Sequence, residues 1–216
     1  NPQQIIQNPG LDTVMIGTLL QRIRGASSAQ CLLALPRRVG ADRVGVSFIG
    51  SQSDQLDQFA ARLLDGLSPV PVQTREILDP RQCAMLDAVR QITDYPAGRI
   101  GLSLESATLQ SGENLRGRIV GAGGMFVTLL LIDDNGVVQD MGRFTKLEGG
   151  DPVFDAPIAR SGPSRETRQV LLALGSQQEL PELAELMGQE AETLFTRLPI
   201  EVLSNIRFGL TTFDVQ

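Results

Sequence analysis

The sequence predicts an α+β fold: a small α/β module followed by an antiparallel β-sandwich with one late amphipathic helix. Apolar residues recur at helical spacing in three segments of the first half. The second half breaks into short apolar runs separated by Gly, Asn and Asp turns. Hydrophobic residues make up 42% of the 216 and aromatics 4%, with no Trp, so a buried core is feasible and must be built from Leu, Val, Ile and Ala.

Taken in order, residues 1–10 are polar, with Pro2, Pro9 and Gly10, and read as a linker. Leu11 to Arg24 carries Leu11, Val14, Met15, Leu19, Leu20 and Ile23 near helical spacing. Cys31 to Leu35 is an apolar run, Arg37, Arg38 and Gly40 read as a turn, and Val44, Val46 and Phe48 alternate, which together predict a hairpin. Leu56, Phe59, Ala60, Leu63 and Leu64 form one face of a helix with Ser53 as its expected N-cap. Ser68-Pro69-Val70-Pro71 breaks that helix, and Val72 to Ile77 is a third strand. Asp79-Pro80 supplies a cap and a first-turn proline for a helix through Cys83, Met85, Leu86, Val89 and Ile92. The first module is thus expected over residues 11–97.

The pattern changes to strands over 98–216. Ile100 to Leu104 alternates, and Leu115 to Val120 follows a Ser111-Gly112-Glu113-Asn114 turn. Phe126 to Ile132 meets Val137-Val138 across Asp133, Asp134, Asn135 and Gly136, and Asn-Gly between apolar runs is a strong hairpin signal because both residues accept positive φ. Val153-Phe154 and Gln169 to Leu174 add strands, Leu180 to Leu198 reads as the amphipathic helix, and Ile206 to Phe213 closes the sandwich.

Composition excludes several functions. With no histidine, Ser-His-Asp and Cys-His nucleophilic machinery and every imidazole metal site are ruled out. A net charge of −6 without a Lys/Arg run speaks against nucleic acid and anionic membrane surfaces as partners. No run of about 18 apolar residues is present, so no direct membrane insertion is expected. The opening Asn1-Pro2-Gln3-Gln4 reads as a processed end, with further sequence expected upstream.

The remaining chemical candidates have structural readings. Lys146, the only lysine, lies in what reads as a surface strand. The Asp133–Gly136 stretch differs from a calcium loop, since the first ligand position is Leu131 and no Glu follows at the twelfth. Gly121-Ala122-Gly123-Gly124 matches neither dinucleotide nor phosphate loops and reads as a strand connection, and Glu148-Gly149-Gly150-Asp151 reads as a turn. No cofactor or metal site is expected. Spacing leaves Cys31 and Cys83 open three ways: a disulfide, two buried thiols, or a reactive thiol at Cys83 activated by Arg81 and a helix N-terminus.

Gly112-Glu113-Asn114-Leu115, the Phe126–Ile132 strand, the Asp133 to Val138 hairpin and the Gln169–Ser176 strand together resemble a domain-of-unknown-function family at the C-terminal end of bacterial membrane-linked Ser/Thr kinases and caspase-like proteins. That resemblance covers roughly residues 98–216. The first module resembles the BON type of α/β unit found in envelope proteins. In proteins combining the two, a cysteine commonly occupies the positions of Cys31 and Cys83, so the resemblance implies a disulfide and an oxidising compartment. It implies no catalytic residues. The expected function is a non-catalytic, periplasmic or extracytoplasmic sensory or scaffolding region of a larger bacterial protein. It would bind a protein or envelope component through sheet edges or a groove between the modules. The alternatives are a self-association domain forming a homo-oligomer, a carbohydrate- or peptidoglycan-binding accessory module, and a cytoplasmic regulatory tail.

Overall fold

The computed structural model describes residues 10–26, 30–40, 43–159 and 167–216. The linker expected over 1–10 lies outside these apart from Gly10. The first half contains α1 (Gly10–Gly25), β1 (Leu32–Val39), β2 (Arg43–Gly50), α2 (Ser53–Leu64), β3 (Val72–Ile77) and, after a 3-10 turn at Pro80–Gln82, α3 (Cys83–Gln91). β1 and β2 form the antiparallel hairpin, and α2 carries the chain over to β3, which runs parallel to β2. Arg37 and Arg38 belong to β1 and not to the turn, because the ladder continues past the buried segment and pairs them with Gly45 and Val44. Ser53 is the first residue of α2 and not its cap; Gln52 holds the cap position.

The second half supplies β4 (Gly101–Leu104), β5 (Thr108–Leu109), β6 (Asn114–Val120), β7 (Phe126–Ile132), β8 (Val138–Asp140), β9 (Thr145–Glu148), β10 (Asp151–Pro157), β11 (Thr167–Ser176) and β12 (Arg207–Val215). They form a four-stranded sheet, β4-β6-β10-β9, and a five-stranded sheet, β5-β12-β11-β7-β8. The architecture is therefore α+β and rich in sheet.

The helix expected over Leu180–Leu198 is built as separate pieces, α4 (Pro181–Glu185), α5 (Ala191–Arg197) and a further α6 (Ile200–Ser204). The break lies where the chain is drawn onto the edge of the five-stranded sheet. Gly188, at φ +80°, donates its N–H to the Val138 carbonyl at 2.8 Å, Val138 N donates to the Gln189 carbonyl at 2.9 Å, and Val137 bridges Glu190. Backbone groups that an unbroken helix would pair internally are paired with β8.

Core packing explains the two longest apolar runs. Leu129, Leu131, Leu171 and Ala173 point between the two sheets, where they meet Leu115, Ile119, Phe154 and Phe213. Leu130, Ile132, Val170, Leu172 and Leu174 point the other way, into a cluster with Leu33, Ile49, Met85, Leu86, Leu194 and Phe208. β7 and β11 are thus buried on both faces, and such strands read as continuous rather than alternating hydrophobic runs. The three-stranded sheet is also covered on both faces, since Leu32, Ala34, Val46 and Phe48 pack with Leu19, Leu56 and Phe59 from α1 and α2. The largest buried cluster therefore draws on residues from both sides of position 97.

Candidate functional site

Cys31 immediately precedes β1 and Cys83 opens α3; their sulfurs are joined at 1.96 Å, with Cα atoms 4.8 Å apart. Cys31 is the one non-glycine residue at positive φ among those described, at +59°, and its N–H donates to Asp87 Oδ1 at 2.9 Å. The bond ties the outer strand of the hairpin to the helix that covers its edge. On that edge the Ala34 N–H donates to the Tyr95 hydroxyl at 3.1 Å, and burial pushes the Tyr95 phenol up from its usual range. Arg81 is engaged by Asp79 at 2.8 Å and by Asn135 at 3.0 Å. The hydrogen bond it donates to the Asp79 carboxylate holds the Arg81 guanidinium above its ordinary pKa.

The Asp133–Gly136 turn meets this corner from the sandwich side. Asp133 Oδ1 accepts from the N–H groups of Asn135 and Val137, each at 2.9 Å, and so closes the turn locally. Asp134 is buried and accepts from Gln169 Nε2 at 3.2 Å, while Gln169 also donates to Thr167 at 3.0 Å. Gly136 sits at φ +81° directly against the Arg81 carbonyl, and its own carbonyl accepts from Ala191 N at 2.7 Å. The four residues thus join the 3-10 turn, the sheet and α5.

Gln82 is the polar pin of this seam. It is fully buried, its Nε2 donates to the carbonyls of Ile132 at 3.1 Å and Arg168 at 3.2 Å, and its Oε1 accepts from Asp79 N at 3.1 Å. With Asp79 it completes a capping box. Sequence reasoning identified the Asp79-Pro80 start but not Gln82; the D-P-R-Q spacing was the available signal. Replacing it by Leu keeps the volume and removes all three of these buried hydrogen bonds. Gln82→Leu is expected to cost about 2–3 kcal/mol, read as a lower midpoint in urea unfolding. An unchanged midpoint would show that the seam does not depend on these bonds.

Two hollows flank the seam. The larger, about 580 Å³, lies between α3 and α5 and is lined by Cys83, Asp87 and Ala88 on one side and Glu192, Phe195 and Leu203 on the other. Its walls come from both halves of the chain, and its lining is mixed, combining the carboxylates of Asp87 and Glu192 with apolar side chains. The smaller, about 270 Å³, is bounded by Asp133, Asp134, Asn135 and Gln169. No protein-family model, curated protein or solved structure matches the chain.

Lys146 lies on β9, is 69% exposed and contacts Glu148 at 2.8 Å. The hydrogen bond it donates to the Glu148 carboxylate raises its pKa, the opposite of what a lysine base or Schiff-base amine requires. Among the described residues no group of three or more Cys, Asp or Glu is placed to hold a metal ion, and no helix is long and apolar enough to cross a membrane. Gly121 and Gly124 form the β6–β7 connection, and Gly149 and Gly150, both at positive φ, form the β9–β10 turn. Of the larger hollow's far wall, the α5 residues are legible in the sequence only as part of an amphipathic stripe, and Leu203 of α6 lies beyond it.

Proposed function

We propose that this chain is the non-catalytic, extracytoplasmic interaction region of a larger bacterial signalling or envelope protein, and that it binds a protein or envelope component in the α3–α5 groove. The observation that carries this reading is the Cys31–Cys83 bond in the groove wall. Disulfides persist in oxidising compartments and are rare where cellular thiols are kept reduced. The groove's mixed lining suits a polypeptide or glycan partner with both apolar and hydrogen-bonding groups.

The test has two arms on protein purified from its native source. Intact mass after denaturation and alkylation should show neither cysteine labelled until reductant is added; immediate labelling of both thiols would move the protein to a reducing compartment. Envelope extract passed over the folded protein should yield a component that is lost with a Thr196→Trp variant, which fills the groove from an exposed position. Recovery no greater than from denatured protein, or undiminished by the tryptophan, would remove the groove from consideration.

A further inference from the structure

The charge of this protein is distributed unevenly. Residues 177–206 hold six glutamates against one arginine, so most of the net charge of −6 is concentrated there. Glu179, Glu182, Glu185, Glu190, Glu192 and Glu201 are all exposed, and none forms an ion pair with a described residue. The outer face of the four-stranded sheet is different, with Arg116 paired to Asp155 at 3.1 Å, Arg118 to Asp151 at 3.4 Å and Lys146 to Glu148 at 2.8 Å. Between α4 and α6 three of the six glutamates border a groove of about 480 Å³. Leu180, Val202 and Ile206 line its apolar part, and Glu179, Glu182 and Glu201 supply its charge. A partner for this groove must bring cations on either side of an apolar group.

The same chain displays such a group. In the β1–β2 ladder Val39 lies opposite Arg43 and Arg37 lies opposite Gly45, so Arg37, Val39 and Arg43 share one face at the hairpin end. Gly45 leaves room there for Val39 and the Arg37 stem to lie close, since a Cβ at that position would stand 2.7 Å from Val39 Cγ2 and 3.4 Å from Arg37 Cγ. Both arginines are exposed, and neither forms an ion pair with a described residue. This end of the hairpin extends past the buried Leu33 and Ile49, and among its described residues no side chain on that face is fully buried.

We propose that the hairpin end of one copy, with Arg37 and Arg43 on either side of Val39, seats in the α4–α6 groove of a second copy. The two surfaces differ, so the contact is head-to-tail and generates rings or open chains rather than a two-fold dimer. It involves a different groove from the α3–α5 hollow and stands or falls separately. Exposed ion pairs are weak and screened by salt over a Debye length of about 10 Å at 0.1 M. The association is therefore concentration-dependent and strongest at low ionic strength.

Sedimentation equilibrium of the intact protein tests this directly. The average mass should rise above 23.3 kDa with concentration at low ionic strength and return to the monomer value near molar salt. An Arg37→Gln/Arg43→Gln protein and a Glu182→Gln/Glu201→Gln protein should each remain monomeric alone, and neutral replacements leave the altered hairpin with no attraction for the altered groove. Mixed, they should form a one-to-one dimer and nothing larger, because the first keeps an intact groove and the second an intact hairpin. A wild-type protein that stays monomeric at millimolar concentration and low salt overturns the proposal. So does association that persists in both variants alone, or a mixture that shows no dimer.

Discussion

Reduction of Cys31–Cys83 is expected to destabilise the fold by about 4 kcal/mol. The two cysteines are 52 residues apart, and closing a loop of that length in the unfolded chain lowers its entropy by that order. For a chain of this size the loss corresponds to a melting temperature lower by about 10 °C. Thermal unfolding with and without reductant, and of a Cys31→Ser/Cys83→Ser protein, measures it. A Cys31→Gly/Cys83→Ser protein should recover about 1 kcal/mol of the loss, because position 31 sits at φ +59°, where glycine is unstrained and serine is not. Equal melting temperatures for the oxidised and reduced proteins would mean that strand β1 and helix α3 are held by packing alone.

Gly136→Ala is expected to cost about 3 kcal/mol, an unusually large effect for adding one methyl group. The backbone there is at φ +81°, and a Cβ would stand 2.6 Å from the Arg81 carbonyl oxygen. Arg81 cannot retreat freely, since its guanidinium is bonded to Asp79 and Asn135 and Gln82 is anchored beneath the sheet. Gly149→Ala separates the two contributions. That glycine is also at positive φ, +62°, but nothing lies within 4 Å of its added Cβ, so only the conformational cost of about 1 kcal/mol remains. If unfolding of the two variants shifted equally, the close approach of turn and 3-10 segment would carry no energetic weight.

The turn shows how far local sequence reaches. Asp133 to Gly136 reads as a hairpin connection because Asn-Gly between apolar runs favours positive φ, and the chain turns there. Nothing local shows that its far side is a docking point for Arg81, which is 54 residues away in the hydrogen bond to Asn135. The late helix shows the reverse error. Leu183, Leu186, Leu194 and Phe195 keep a helical stripe, but the edge of β8 competes for the backbone between them and breaks the helix at Gly188.

By itself, the sequence determined the α+β class, the order of elements in the first half, an aliphatic core, and the absence of any chemistry that needs imidazole. These follow from composition and from periodicities of two and 3.6 residues, which act over a few positions. It left Cys31 and Cys83 open among three readings, because whether two thiols meet depends on how separate elements pack. Only the tertiary structure decided that pairing, the burial of β7 and β11 on both faces, and the burial of Gln82 where the two halves meet. Each depends on contacts between residues distant in sequence, whose geometry is fixed when the layers close on one another.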